Sequence, residues 1–509
     1  MTDINKQELP EEVLKYIDSL ENKVTLLEDE LRLLRSKHFG KSSEKMPLQK
    51  ELFEEFEETP MEEEPDEEII VSEYKKKKPG RKPISDELPR KDIIHDISEE
   101  DKKCACGHEL VKIDEVVTER IQVIPEKVYV ERHIRPKYAC RNCEGSGDEE
   151  KPVFRIAPAA PSLIPGSIIT AGLLAYILTN KICDYLPFYR QEKRFERFGI
   201  PISRQNMSSW TIKAYKKLQI LYDIMKTHIK TGNYLQMDET VLKVHGEDGK
   251  LDSSNSYIWV SRGGPVGSEI VLYEYNRSRN ANYIKDFTQG FSGFVQSDGY
   301  PGYDKIFKDN DDIIHVGCLA HARRALYDAY VASKQKNKSN VVINKIQKIY
   351  NVEKKLRAKN MTPGEFIADR RKQVEPLLED LKKWLDKKAV NLRPESKLGK
   401  AVKYTLGQWD KIINYLDCAE LTPDNNAAER VVKPMVMGRR NFLFSGSPEG
   451  AESLCFFYSI IETAKLNGLN PYAYLKWLFE NVVLLSEGES MEHLTPWNCD
   501  MVEVNKIML

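Results

Sequence analysis

The stretch Asn233-Tyr-Leu-Gln-Met-Asp-Glu-Thr-Val-Leu-Lys-Val244 is the clearest strand in the chain, and the fold is read outward from it. Side chains alternate across a strand, so Gln236, Asp238 and Thr240 share one face while Leu235, Met237 and Val241 take the other. Glu239 therefore faces away from Asp238, and only one of the two can join a given site. Further short β-rich segments follow at 256–261, 269–275, 293–297 and 312–317, bounded by turn residues. Residues 162–230 before this run read as helical, as do 319–420 and the chain onward to about 480. The expected fold class is multidomain α/β plus α, with a mixed-sheet core and a helical insertion at about 325–420.

Two more acids stand at the ends of such elements. Asp298 closes Gly293-Phe-Val-Gln-Ser-Asp298 and precedes Gly299-Tyr-Pro-Gly-Tyr303, where the backbone can turn sharply. Strand ends of this kind commonly carry active-site groups in α/β folds. Glu429 lies in Asp424-Asn-Asn-Ala-Ala-Glu-Arg430. Thr422 and Pro423 are read as the cap and first residue of its helix, which would align Asn425, Asn426, Glu429 and Lys433 and stop at Pro434. Each acid alone is a common structural residue. Three together meet the oxygen-ligand demand of Mg²⁺ or Mn²⁺, and two such ions can activate the attacking oxygen of a phosphodiester transfer and stabilise the leaving one.

The 509 residues are too many for one core. No apolar run reaches membrane-spanning length and Met1-Thr-Asp-Ile-Asn5 lacks a basic region followed by an apolar one, so a cytoplasmic protein with no membrane partner is expected. The net charge of −2 hides an asymmetry. Residues 51–68 hold eleven acids and no Lys or Arg, and without them the remainder carries +9. That basic remainder suits a nucleic-acid partner.

Upstream, Val13, Ile17, Leu20, Val24, Leu27, Leu31 and Leu34 repeat at alternating steps of four and three, a coiled-coil seam flanked by Glu21, Lys23, Glu28 and Glu30. A helix over 9–45 that forms a homo-oligomer is expected. Residues 46–99 read as a linker, acidic and then basic at Lys75-Lys-Lys-Lys-Pro-Gly-Arg-Lys-Pro83. Residues 100–156 hold Cys104, Cys106, Cys140 and Cys143, paired as structural Zn²⁺ ligands are, with His108 or His133 as substitutes for one of them. The segments 116–123 and 128–134 between the cysteine pairs alternate like a hairpin. Within 157–230, Ser203 is a candidate N-cap, and Arg204, Gln205 and Asn206 open the next helix in the manner of a helix-turn-helix reading a major groove.

These strings together resemble those of the insertion-sequence transposases of family sixty-six, and the resemblance runs along essentially the whole chain. It rests on Leu31-Arg-Leu-Leu-Arg-Ser-Lys-His-Phe-Gly-Lys-Ser-Ser-Glu-Lys45, Arg135-Pro-Lys-Tyr-Ala-Cys-Arg-Asn-Cys143 and Met237-Asp-Glu-Thr240. It rests equally on Ser297-Asp-Gly-Tyr-Pro-Gly-Tyr303, Gly317-Cys-Leu-Ala-His-Ala-Arg-Arg324, Asn425-Asn-Ala-Ala-Glu-Arg430 and Gly438-Arg-Arg-Asn-Phe442. The resemblance implies a ribonuclease-H-like catalytic domain over 231–455, a DDE triad of Asp238, Asp298 and Glu429 holding two Mg²⁺ or Mn²⁺ ions, and a C-terminal helical region over 456–509. The implied partners are the element's terminal inverted repeats, target DNA and small accessory proteins of the same element, in a bacterial, nucleoid-associated setting. Cys318 and His321 resemble a C-x-x-H string of several transposase groups. With His315 they suggest a second metal site, against the alternative that they orient the strand end beside the triad. Arg323, Arg324, Arg439 and Arg440 are candidate phosphate contacts. A ribonuclease-H-like nuclease or resolvase, and an inactive zinc-containing DNA-binding protein, are the competing expectations.

Overall fold

The computed structural model describes residues 128–139, 154–308, 310–332 and 341–507, with scattered positions between 10 and 31. Residues 1–55 and 135–509 make one compact unit and 56–134 another, of which 128–134 are described. The four zinc-candidate cysteines and the linker lie outside the described residues. So does half of the expected hairpin, and its other half, 128–134, takes no strand. Instead a short antiparallel pair forms between β1 (Lys137–Ala139) and β2 (Phe154–Ile156).

A mixed sheet positions the site. Its strands are β3 (Tyr234–Val244), β4 (Asn255–Gly263), β5 (Ile270–Asn276), β6 (Gly293–Gln296) and β7 (Ile313–Val316), in spatial order β5-β4-β3-β6-β7. The first three pair antiparallel, as consecutive strands joined by short turns do, and β6 and β7 join parallel to β3. A two-residue strand, β8 (Phe444–Ser445), runs parallel beside the far end of β3. These are the segments that β-rich composition and turn residues predict, within one or two residues at each end.

Helices cover both faces. Helices α1 (Ala171–Ile182), α2 (Phe188–Arg197) and α3 (Arg204–His228) precede the sheet. Helices α4 (Ala281–Thr288) and α5 (Pro301–Phe307) lie on the face that carries Trp259, whose ring stacks on Tyr283 at 4.9 Å and meets Tyr303 edge-on at 6.2 Å. Beyond β7 come α6 (Leu319–Ala332), α7 (Val341–Arg357), α8 (Pro363–Asn391), α9 (Lys397–Gly407) and α10 (Trp409–Ile413), the helical insertion. They build a second apolar cluster of their own around Leu326, Ile346, Leu381 and Ile412. The chain then returns through α11 (Asn426–Phe442), α12 (Pro448–Leu466), α13 (Pro471–Asn481) and α14 (Met501–Lys506).

Helix α12 seals the open edge of β5. Thr463 Oγ1 accepts the Val271 amide at 3.0 Å and donates to the Val271 carbonyl at 3.1 Å, while Ser459 Oγ accepts the Tyr273 amide at 2.8 Å. An edge that would otherwise recruit a foreign strand is thereby satisfied within the chain. The same helix packs on α3, with Phe456 against Tyr215 at 5.5 Å and Tyr222 at 5.7 Å. It also crosses the expected 455/456 boundary, and one apolar core runs from Leu163 to Val504. The preceding helices, the sheet and the C-terminal helices are therefore one folded body, because α3 and α12 each bury a face that neither could bury alone.

In the N-terminal segment the described positions from 13 to 31 are helical, and Val13, Leu20, Val24, Leu27 and Leu31 of the seam are 41–64 % exposed. Among the described residues no helix is long and apolar enough to cross a membrane.

Candidate active site

Asp238 sits near the middle of β3, and Thr240 on the same face is bonded by Arg439 Nη1 from α11 at 2.9 Å. Helix α11 therefore covers the Asp238 face. Glu239 turns to the opposite face, where Arg279 ion-pairs with it. Strand parity turns the two side chains to opposite faces, although the charge of Glu239 still bears on Asp238 and that of Asp298 on Glu239. Burial first, then the negative charges of Glu239, Asp298 and Glu429, push the Asp238 carboxyl up to about 8, with the Glu239 amide at 2.8 Å opposing the shift. The charges of Asp298 and Glu429 thus both bear on Asp238.

Asp298 lies two residues past the end of β6, and its Oδ1 accepts the Tyr300 amide at 3.0 Å. That bond turns the chain into α5, where Pro301 supplies the first helical residue. Gly299 is required here, since a Cβ would stand 2.7 Å from the Tyr404 hydroxyl. Arg279, which sequence reasoning passed over, lies 3.8 Å over the Tyr300 ring.

Glu429 arrives from 131 positions away, and the path that brings it is a chain of directed hydrogen bonds. Arg262 Nη1 donates to Gln236 Oε1 at 2.8 Å, Gln236 Nε2 to Gln296 Oε1 at 2.7 Å, and Gln296 Nε2 to the Thr422 carbonyl at 2.8 Å. The Leu319 amide donates to the Pro423 carbonyl at 2.8 Å. Asn425 Nδ2 donates to the Met237 carbonyl at 2.9 Å, and the Asn425 amide donates to Cys318 Sγ at 3.2 Å. The approach to α11 is thus tied to β3, β6 and the turn after β7. Behind it, fully buried Arg370 of α8 donates to the carbonyls of Tyr415 (2.8 Å), Cys418 (2.7 Å) and Leu421 (2.9 Å) and pairs with Glu353 at 3.0 Å.

These bonds also correct the expected helix. It starts at Asn426 with Asn425 as N-cap, not at Thr422 and Pro423, whose carbonyls are already used by Gln296 and Leu319. Nor does Pro434 end it: α11 continues to Phe442, because Val432 and Met435 on either side are buried in the core and the carbonyl that loses a partner belongs to exposed Arg430. Asn426, Glu429 and Lys433 still share a face by helical spacing.

His321, in the first turn of α6, brings Nε2 to 3.7 Å from Glu429 Oε1, and Cys318 is buried beside it. His315 does not join them. Its Nδ1 meets Asp304 at 3.2 Å and its Nε2 bonds Ser297 Oγ at 2.8 Å. Of the phosphate candidates, Arg324 and Arg440 are exposed, Arg323 is buried, and Arg439 is committed to Thr240 and the Val241 carbonyl. Arg323 is turned inward because it follows the apolar face of α6, and Arg439 because α11 lies against β3. Ser203 caps α3 by accepting the Asn206 amide at 3.2 Å, and Arg204, Gln205 and Asn206 are all exposed on its first turn.

Glu429 Oε1 is buried and accepts no hydrogen bond among the described residues, and a carboxylate oxygen so placed suits a divalent cation.

Comparisons with known proteins identify the family. The model of the transposase IS66 family matches residues 166–453. A zinc-finger binding domain of these transposases matches 101–144, their C-terminal element 459–497, and an N-terminal domain described as transposase C of IS166 homeodomain 26–93. Two proteins of Sinorhizobium fredii, y4jD and y4qI, both named as uncharacterized, are similar. The first is 31 % identical over 424 residues, covering 81 % of this chain and 80 % of the relative. The second is 29 % identical over 440 residues, covering 82 % and 79 %. The chain belongs to the IS66 family of transposases.

Proposed function

We propose that this chain is a DDE transposase in which Asp238, Asp298 and Glu429 form the catalytic centre of a ribonuclease-H-like domain. The observation that carries the reading is that the charges of Asp298, from the turn after β6, and Glu429, from the first turn of α11, both bear on the buried carboxyl of Asp238 in the middle of β3. The β5-β4-β3-β6-β7 order, antiparallel then parallel, supports the fold assignment.

Two Mg²⁺ or Mn²⁺ ions held by the three carboxylates would polarise the scissile phosphate and lower the cost of ionising the attacking oxygen. The protein's part is placement. Asn425 and the Gln236–Gln296 relay hold Glu429 toward β3, Arg279 keeps Glu239 on the other face, and Arg324 and Arg440 offer exposed charge for phosphates. In the first reaction water attacks the phosphorus at the element end, the P–O3′ bond breaks, and the element keeps a 3′-hydroxyl. In the second that hydroxyl attacks a target phosphodiester, forms the new P–O3′ bond and releases a target 3′-hydroxyl. No protein-linked intermediate is involved.

The exposed first turn of α3, with Arg204, Gln205 and Asn206, and a zinc unit built on Cys104, Cys106, Cys140 and Cys143, would bind the terminal inverted repeats. The exposed seam of the N-terminal helix would pair copies of the chain, and small proteins of the same element would assist. The test is purified chain with Mg²⁺ and duplexes ending in the element's inverted repeats. Joining of those ends to a second duplex supports the proposal, whereas cleavage without joining supports a nuclease or resolvase.

A further inference from the structure

Cys318 follows β7, His321 opens α6 one turn later, and Glu429 faces them from α11. One ligand atom from each (the sulfur, an imidazole nitrogen and a carboxylate oxygen) lies within 4.8 Å of the other two. Cys318 is 5 % exposed, and its sulfur is approached by the amides of Asn425 at 3.2 Å and of His321. Two N–H groups aimed at one sulfur are the surroundings that favour a thiolate bound to metal. His321 Nδ1 and Glu429 Oε1 are buried atoms with no hydrogen-bond partner among the described residues.

We propose that Cys318, His321 and Glu429 form a second cation site, selective for a thiophilic divalent ion such as Zn²⁺ or Co²⁺. One sulfur, one imidazole and one carboxylate are three of the four ligands of a tetrahedral zinc-type site, which leaves one position for water. Tetrahedral bonds of about 2.0–2.3 Å put ligand atoms roughly 3.3–3.7 Å apart, so closure needs about 1 Å of side-chain movement. Mg²⁺ prefers oxygen and avoids sulfur, so the two classes of ion are sorted by ligand type. Binding displaces the thiol proton to solvent. The functional consequence rests on the reading of Glu429 as third acid of the triad: an ion on the sulfur side claims a Glu429 oxygen and restrains Mg²⁺-dependent joining.

The test counts metal rather than activity. Full chain carrying Asp298→Asn, which weakens the carboxylate centre, is stripped with chelator and dialysed against Co²⁺. The expected result is one Co²⁺ equivalent more than in the Asp298→Asn/Cys318→Ser chain, together with a stronger thiolate-to-cobalt absorption than in that double variant, whose band comes from the four-cysteine unit common to both. Asp298→Asn/His321→Gln should lose the same equivalent, which keeps the test valid if the serine variant does not fold. Equal Co²⁺ counts in the parent and a folded second variant overturn the site. Because every chain compared is already disabled at Asp298, the count is independent of whether the wild-type chain joins DNA.

Discussion

Asn425 donates its side-chain amide to the carbonyl of Met237 at 2.9 Å, next to Asp238, while its own carbonyl accepts the Glu429 amide at 3.1 Å. One buried residue thus connects the strand of one acid to the helix of another, across the whole helical insertion. Asn425→Ala removes the connection and leaves a buried carbonyl short of a donor. The expected cost is about 1–3 kcal/mol of stability. Joining activity should fall further than that cost implies, because Glu429 loses its anchor. Thermal melting and single-turnover joining measured on the same preparation check this. Equal activity in a stably folded variant would show that the bond is incidental to the site.

The carboxyl of Asp238 gives a signed pH effect. Its value in the metal-free fold is pushed up to about 8 from an ordinary 3.8. The folded chain therefore keeps a proton that the unfolded chain releases. The stability from that proton is complete below about pH 4 and is lost as pH rises toward 8. Asp238→Asn cannot ionise. In chelator its melting temperature should exceed wild type by a margin that widens from pH 5 to pH 8. A margin independent of pH would contradict the assignment.

Adding Mn²⁺ at pH 8 should narrow that margin. An ion at one hundred times its Kd stabilises the fold it binds by about 2.7 kcal/mol. Wild type should rise in melting temperature with Mn²⁺ while Asp238→Asn gains little, which differential scanning calorimetry reads directly.

Arg370 holds the returning chain from behind, through three carbonyls and Glu353. Arg370→Ala leaves Glu353 buried without its partner, an expected loss of about 3–5 kcal/mol. Urea unfolding should show it. Arg371, half-buried at the surface and paired with Asp417, is the control, with an effect of about 1 kcal/mol or less.

At the first turn of α3, Arg204→Ala should weaken binding to inverted-repeat ends and flatten the dependence of log affinity on log salt by about one unit if Arg204 contacts a phosphate. If it reads a base instead, the slope stays and discrimination between cognate and scrambled ends drops by about 1–3 kcal/mol. Binding isotherms at several salt concentrations separate these outcomes, and no change in either would remove α3 from the interface.

Much of the sheet was legible because runs of β-branched and aromatic residues bounded by turn residues are a local signal. The β3, β4 and β5 segments each carry such a run, and the turns between them carry Gly or Asn. The places of Asp238 within a strand and Asp298 just past one were legible in the same way. The route to Glu429 was not legible in the same way. Thr422 and Pro423 look like a helix start, yet their carbonyls serve as acceptors for Gln296 and Leu319, partners distant in sequence. Pro434 looks like a stop, and packing of Val432 and Met435 carries the helix through it. Arg439 reads as a phosphate contact, and only the docking of α11 on β3 reveals Thr240 as its partner. Cys318 and His321 were visible as a string, while their meeting with Glu429 depends on the same long-range return.

The central claim is that Asp238, Asp298 and Glu429 act as one metal-binding catalytic unit. The most direct measurement is strand transfer from a pre-cleaved inverted-repeat end in Mn²⁺, comparing wild type with Asp298→Asn at equal end occupancy. The account predicts unchanged end binding and a loss of about a thousandfold or more in the rate of joining, several kcal/mol of transition-state stabilisation. Joining by Asp298→Asn at the wild-type rate would contradict it.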